Sequence, residues 1–107
     1  MADTRKILER AATGLALGIE QANGLPRAAY TDPAFLALEN ERLFPRAWVG
    51  AVFSEDVAAP GDAMPVVIAG VPLIILRDGA GRVRAYHNVC RHRATIVLEK
   101  PVKGAKH

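Results

Sequence analysis

Apolar residues recur every three or four positions through the first part of the chain, which is the spacing of an amphipathic helix. We predict that this helix covers residues 3–22 and ends at Asn23-Gly24, a common helix stop signal. Its apolar face consists of Leu8, Ala11, Ala12, Leu15 and Ile19.

A second helix is predicted over residues 33–44. Asp32 offers a side-chain oxygen that can cap the helix, and Pro33 suits its first turn. Pro45 ends the helix, because proline disfavours the helical conformation in the residue before it. Leu25-Pro26-Arg27, between the two helices, is predicted to be extended. The apolar face of the second helix consists of Phe35, Leu36, Leu38, Leu43 and Phe44.

From Trp48 onward, the hydrophobic pattern changes from helical spacing to short β-branched runs. Ala69-Gly70-Val71 and Asp78-Gly79-Ala80-Gly81 separate three of these runs as turns, so we predict an antiparallel meander. Trp48, Phe44 and Tyr30 are large aromatic residues that we expect to anchor the core. The predicted strands are residues 48–53, 64–68, 72–77 and 82–87.

These elements predict an α+β fold that is mainly antiparallel β. Residues 1–46 form its helical segment, and residues 47–107 form a β-rich domain. A length of 107 residues allows at most one full domain. Half of the residues are hydrophobic and 23% are charged, which is the composition of a globular protein.

Positive charge is concentrated in the last third of the sequence. Residues 77–107 carry a net charge of +6, whereas residues 1–76 carry −3. Such a basic surface can steer an acidic electron donor, or it can be simply a solvated face. Binding of nucleic acid is disfavoured, because Tyr86 is the only aromatic residue in the basic stretch that could stack on a base.

The N-terminus has some features of a secretion signal, with Arg5, Lys6 and Arg10 ahead of an apolar run at 11–19. Acidic residues interrupt the basic region and no cleavage-site pattern follows, so an amphipathic helix explains the sequence better. The apolar run is also too short to cross a bilayer. We therefore expect a cytoplasmic protein with no membrane partner.

The sequence contains one cysteine, Cys90, two positions before His92. A lone cysteine excludes an internal disulfide and fits a reducing compartment. Thiolate and imidazole are common metal ligands, although an isolated cysteine is often only a small buried hydrophobe. The sequence shows no Ser/His/Asp set, phosphate-binding glycine loop or pair of catalytic carboxylates, so metal binding is the candidate chemistry.

The residues around Cys90 make this pattern specific. Three segments carry a family resemblance: LPRAAYTDPAFLALENERLFPRAWVGAV at 25–52, PGD at 60–62 and RAYHNVCRHR at 84–93. In these segments the chain resembles the N-terminal part of the large (alpha) subunit of Rieske non-heme iron oxygenases, the aromatic-ring-hydroxylating and choline-monooxygenase-like group. In that family C-x-H is followed by C-x-x-H, whose cysteine would come shortly after His107. The resemblance therefore implies an N-terminal fragment that ends before the second ligand pair.

One position of the motif departs from the family pattern. Ala94 stands where the family usually has the glycine of CRHRG. Glycine adopts left-handed backbone conformations more easily than any other residue. The geometry of the turn after Arg93 is therefore the part of the motif that the sequence leaves open.

The resemblance also implies a fold, cofactors and partners. Two N-terminal helices would precede part of a Rieske-type [2Fe-2S] β-sandwich, with residues 47–107 as an incomplete Rieske domain. Cys90 and His92 would be cluster ligands, one on each iron. The whole enzyme would be a homotrimer that takes electrons from a reductase or ferredoxin and passes them to mononuclear Fe(II) in a further domain for O2-dependent hydroxylation. A role in aromatic hydrocarbon catabolism is expected, with no catalytic residue in these 107 positions.

Two alternatives remain open. His87, Cys90, His92 and His107 together offer the four nitrogen and sulfur ligands of a structural zinc site. Alternatively, the isolated chain is a metal-free, β-rich interaction module, because half of a ligand set rarely holds a cluster.

Overall fold

The computed structural model of the chain describes residues 3–106, which divide into two compact units between Ala47 and Trp48. Helices come first and an antiparallel sheet follows, which is the α+β, mainly antiparallel β fold that the sequence predicts. Within residues 3–106, no helix has both the length and the apolar character needed to span a membrane. In chain order the elements are α1 (Thr4–Leu15), α2 (Arg27–Thr31), α3 (Pro33–Arg42), 3-10 turns at Phe44–Arg46 and Ser54–Val57, β1 (Ala63–Ile68), β2 (Val71–Arg77) and β3 (Val83–His87).

α1 begins where the first helix is predicted but ends earlier. The side chain of Asp3 accepts a hydrogen bond from the backbone N–H of Arg5 over 3.0 Å and caps the helix. The helix ends at Leu15, so the predicted continuation to residue 22 is wrong. Gly14 in the last turn and Gly18 beyond it account for this, because each glycine costs a helix roughly 1 kcal/mol relative to alanine.

α2 is a short helix that the sequence did not predict. It begins at Arg27, so the prediction that Leu25-Pro26-Arg27 is extended is wrong at Arg27. Pro26 itself is extended, with ψ at 145°, and its carbonyl oxygen accepts the backbone N–H of Ala29 over 2.8 Å. A proline can stand directly before a helix, because its missing N–H is not needed in the first turn.

α3 confirms the start predicted for the second helix. The side chain of Asp32 accepts the backbone N–H of Ala34 over 2.9 Å, and Pro33 occupies the first turn. The helix ends at Arg42, two residues before the predicted end, and a 3-10 turn that contains Pro45 follows it.

β1 and β2 form the predicted hairpin. Ala69 and Gly70 link them with φ values of 50° and 78°. Positive φ at both positions is what a two-residue type I′ turn requires. The register places Ile68 opposite Val71, directly across this turn.

β3 pairs antiparallel with β2, as predicted, and gives the strand order β1-β2-β3. Asp78 shapes the turn between them, because its Oδ1 accepts the backbone N–H of Arg82 over 2.8 Å and that of Ala80 over 3.0 Å. Its Oδ2 accepts Nε of Arg84 over 3.0 Å. The Arg82 N–H, followed by the Arg84 side chain, lowers the pKa of the Asp78 carboxyl.

Residues 48–53 do not form the predicted strand. They are irregular, and no strand within residues 3–106 pairs with them. Trp48 is fully exposed and Tyr30 is 72% exposed, so the prediction that these two anchor the core is wrong; Phe44 is half-buried. An apolar run becomes a strand only where a neighbour completes its hydrogen bonds and covers its side chains.

The core from residue 48 onward is small. Its buried apolar residues are Val57, Ala63 and Ile75, and the polar residues Asp62 and Asn88 are buried beside them. Each nitrogen and oxygen atom of these two polar side chains has a hydrogen-bond partner, as burial requires.

The last described segment, residues 101–106, folds back onto the start of β1. Val102 forms a β-bridge with Ala63, and the backbone N–H of Ala105 donates to the carbonyl oxygen of Gly61 over 2.9 Å. Asp62 holds the same segment, since its carboxylate accepts Nζ of Lys103 over 3.2 Å and the backbone N–H of Gly104 over 3.0 Å.

Candidate metal centre

Cys90 and His92 lie on the loop that leaves the sheet at the end of β3. His87, the last residue of β3, pairs with Leu73 of β2. The next residue, Asn88, donates its backbone N–H to the carbonyl oxygen of Pro72 over 2.8 Å. β2 therefore fixes the point where the loop begins. We call residues 89–97 the Cys90 loop.

The side chain of Asn88 closes the Cys90 loop. Its Nδ2 donates to the carbonyl oxygen of Leu98 over 2.7 Å, and its Oδ1 accepts the backbone N–H groups of Leu98 and Val97 over 2.8 and 3.1 Å. Asn88 is 3% exposed, so little water competes for these bonds. One carboxamide thus ties the two ends of the loop together.

A second, inner closure lies within the loop. The backbone N–H of Cys90 donates to the carbonyl oxygen of Thr95 over 2.7 Å, and the N–H of Ala94 donates to the carbonyl oxygen of Cys90 over 2.8 Å. Ala94 has a φ of 54°, in the left-handed region. Alanine therefore adopts there the conformation for which the glycine of CRHRG is suited, at a conformational cost of roughly 1–2 kcal/mol.

The Cys90 thiol lies in an environment that favours its metal-binding form. It is half-buried, and the backbone N–H groups of His92 and then Arg93 hydrogen-bond to its sulfur. These bonds lower the pKa of the thiol, although partial burial raises it. Because the thiolate is the form that binds metal, this environment suits a ligand.

His92 is exposed and offers an accessible imidazole two positions from the thiol. One thiolate and one imidazole are half of the two-cysteine, two-histidine donor set of a Rieske centre, in which cysteines hold one iron and histidines the other. The donors on this loop therefore fit half of such a site. The 107 residues contain only one cysteine, so they cannot provide the complete set.

The zinc alternative finds no assembled site among the described residues. Within residues 3–106, no three side chains of histidine, cysteine, aspartate or glutamate converge in a way that could hold a metal. His87 is exposed on β3, and His107 lies outside the described residues. The structure therefore does not bring His87 together with Cys90 and His92 as a ligand group.

Asn88 is the site residue that the sequence interpretation missed. An asparagine at the end of a strand often hydrogen-bonds backbone groups nearby, and that signal is present in NVCRHR. Its actual partners lie nine and ten residues further along, at Val97 and Leu98. Only the folded loop brings them within reach.

Unpaired positive charge lies beside the two candidate ligands. Arg82 and Arg84 pair with Asp78, and Lys103 pairs with Asp62. Neither Arg91 nor Arg93 forms a salt bridge with any residue of the described range. The Cys90 loop is therefore a positively charged surface.

Comparisons with known proteins identify the same region. A family model described as the Rieske [2Fe-2S] domain matches residues 47–107. Choline monooxygenase of Spinacia oleracea is 40% identical over 78 residues, which are 73% of this chain and 18% of that protein. The oxygenase subunit of glycine betaine monooxygenase of Chromohalobacter salexigens is 36% identical over 73 residues, 68% of this chain and 16% of that protein.

A solved structure extends the likeness to the fold. Naphthalene 1,2-dioxygenase from Rhodococcus sp., bound to indole, superposes with a TM-score of 0.68 and 27% sequence identity. The match covers 92% of this chain and 22% of that one. The chain thus spans about a fifth of the length of these proteins.

Proposed function

The chain belongs to the Rieske [2Fe-2S] domain family, and we propose that Cys90 and His92 are the first ligand pair of its cluster. The observation that carries this proposal is the closed Cys90 loop, in which the backbone N–H of Cys90 donates to Thr95 and its carbonyl oxygen accepts the N–H of Ala94. Cys90 would hold one iron and His92 the other. The second cysteine would come from outside these 107 residues, since the sequence has no other cysteine, and the family's C-x-x-H motif implies that the second histidine accompanies it.

We place this site in the large subunit of a Rieske oxygenase. When bound, the cluster supplies one-electron transfer between a reductase or ferredoxin and a mononuclear iron, at which O2-dependent hydroxylation takes place. The residues of this chain hold the thiolate and the imidazole in position. The mononuclear iron needs a two-histidine, one-carboxylate ligand set, and no such group of side chains is assembled within residues 3–106.

The electron donor is proposed to be an acidic reductase or ferredoxin. Within residues 3–106, Arg91 and Arg93 form no salt bridge, and residues 77–107 of the sequence have a net charge of +6. An oppositely charged partner would be steered to this surface, and its association would slow as salt concentration rises. The family resemblance further supports a homotrimer of the whole subunit.

The substrate class is proposed to be quaternary ammonium compounds. The sequence relatives at 40% and 36% identity are named for choline and glycine betaine. These relatives do not support the role in aromatic hydrocarbon catabolism that was expected from the resemblance to the aromatic-ring-hydroxylating group. A cytoplasmic location stays a prediction, and the Spinacia oleracea relative is a chloroplast protein.

The ligand assignment is tested in the complete enzyme that contains these residues. Iron and acid-labile sulfide analysis and EPR of the reduced protein should show a Rieske cluster in the wild type. Cys90→Ser and His92→Ala should abolish it, because thiolate and imidazole bind different irons and neither replaces the other. His87→Ala is the matched control, since this exposed histidine lies close by on β3 and should leave the cluster intact. Full cluster content in His92→Ala refutes the assignment.

Substrate class is tested separately with the same enzyme and its reductase. Oxygen consumption and product formation are compared with choline, glycine betaine and naphthalene. Turnover of a quaternary ammonium compound supports the proposal. Turnover of naphthalene, with no turnover of choline or glycine betaine, would contradict the proposal and favour an aromatic substrate.

A further inference from the structure

Asn88 makes more hydrogen bonds than are needed to end a β-strand. Within the described chain, its backbone N–H already continues the sheet by donating to Pro72. Its carboxamide then makes three further hydrogen bonds, to the carbonyl oxygen and the N–H of Leu98 and to the N–H of Val97. The side chain therefore supplies one donor and one acceptor to the backbone at residues 97–98, which pairs with no strand within residues 3–106.

These bonds determine the backbone that carries the ligands. Cys90 lies two residues after Asn88, and Thr95, which accepts the N–H of Cys90, lies two residues before Val97. The inner closure, between Cys90 and Thr95, thus lies within the outer closure, between Asn88 and residues 97–98. Loss of the outer closure frees only the segment at residues 97–98, since β2 still holds the other end of the Cys90 loop through the bond from Asn88 to Pro72.

We propose that Asn88 is a positioning residue for the Rieske cluster: it holds the Cys90 loop closed before metal binds, so that Cys90 and His92 are presented in a preset arrangement. The role toward the cluster rests on the proposed function, whereas the closure of the loop can be measured without a metal. Preset ligands reduce the ordering that metal binding must otherwise bring about.

The first measurement uses amide hydrogen exchange in the 107-residue chain. Oδ1 of Asn88 is the acceptor for the N–H groups of both Val97 and Leu98. In Asn88→Ala these two amides should exchange about tenfold faster or more, the expected effect of losing one buried hydrogen bond each. The amide of Ile75, in the centre of the sheet, should change less than about twofold.

Two further variants make the first measurement decisive. Asn88→Asp keeps an oxygen acceptor for both N–H groups but places a second oxygen against the carbonyl oxygen of Leu98, so it should restore only part of their protection. Asn23→Ala removes an exposed asparagine in the other compact unit and should change nothing at the loop. Unchanged protection of Val97 and Leu98 in Asn88→Ala overturns the proposal. Equal loss of protection at Ile75 and at the loop also overturns it, because Asn88 would then support only the fold as a whole.

The second measurement uses the complete enzyme and addresses the role toward the cluster. In Asn88→Ala the EPR line shape and the midpoint potential of the clusters that remain should differ from those of the wild type. A residue that merely stabilises the fold would reduce cluster content and leave both properties of each remaining cluster unchanged, and that result refutes the proposal. If the exchange data support loop closure while Cys90→Ser keeps its cluster, the proposed function fails and the closure of the loop stands.

Discussion

The backbone N–H of Ala94 donates to the carbonyl oxygen of Cys90 over 2.8 Å, and Ala94 does so in the left-handed region, with φ at 54°. The turn that follows Cys90 is therefore intact although its residue is not glycine. An alanine in this conformation is strained, since its Cβ approaches the neighbouring backbone. The strain lies in the loop that carries both candidate ligands.

Ala94→Gly is expected to stabilise the chain. Relief of the left-handed strain is worth roughly 1–2 kcal/mol, and the greater freedom of glycine in the unfolded state offsets about half of it. We expect a net gain of roughly 0.5–1 kcal/mol in the free energy of unfolding, measured by urea denaturation. Ala80→Gly is the matched control, because Ala80 is an exposed turn residue without positive φ and should lose stability. Equal effects of both substitutions would show that Ala94 is not strained.

Gly61→Ala is expected to destabilise the chain strongly. Gly61 has a φ of 87°, and a Cβ there would lie 2.6 Å from the carbonyl oxygen of Ala105 and 2.9 Å from the carbonyl carbon of Gly104. Backbone strain and the clash together should lower the free energy of unfolding by roughly 2–4 kcal/mol. Gly79→Ala is the control, since a Cβ at Gly79 meets no atom within 4 Å. Similar unfolding midpoints for both variants would contradict the close packing of residues 101–106 against Gly61.

The stability of the chain is expected to fall in acid because of Asp62. The backbone N–H groups of Ala59 and Gly104, and then Lys103, lower the pKa of its carboxyl below the ordinary value of 3.8, although burial raises it. The folded state favours the carboxylate, so its contribution to stability is present above about pH 4 and is lost as the pH falls through the folded-state pKa. The difference in free energy of unfolding between wild type and Asp62→Asn should therefore shrink below about pH 4. A difference that stays constant down to the lowest pH at which the chain folds would contradict this.

The purified 107-residue chain is expected to be colourless and without a [2Fe-2S] cluster. One cysteine and one histidine leave each iron one protein ligand short. Iron, zinc and acid-labile sulfide analysis after anaerobic reconstitution should find no stoichiometric metal. A Rieske-type EPR signal at one cluster per chain would overturn the half-site assignment, and one zinc per chain would favour the structural zinc alternative.

Turns and caps were predictable where the deciding interactions are local. Ala69-Gly70 supplies the two positive φ values of the hairpin, and Asp32 caps the residue two positions on, so each outcome depends on neighbours within a few residues. The ligand pair is local as well, because only Arg91 separates Cys90 from His92 on one loop. Such features can be derived from sequence since no distant part of the chain must be placed first.

The remaining features depend on residues far apart in sequence. The apolar run from Trp48 stays irregular because no strand in residues 3–106 completes its hydrogen bonds, although its composition favours a strand. Asp62 is buried only because Lys103 and Gly104 return to it, 41 and 42 positions later. Asn88 closes the Cys90 loop because the fold brings Leu98 to its carboxamide. The sequence by itself determined the ligand types and the local turns, whereas only the tertiary structure decided which polar groups are buried, because burial requires partners that chain order does not reveal.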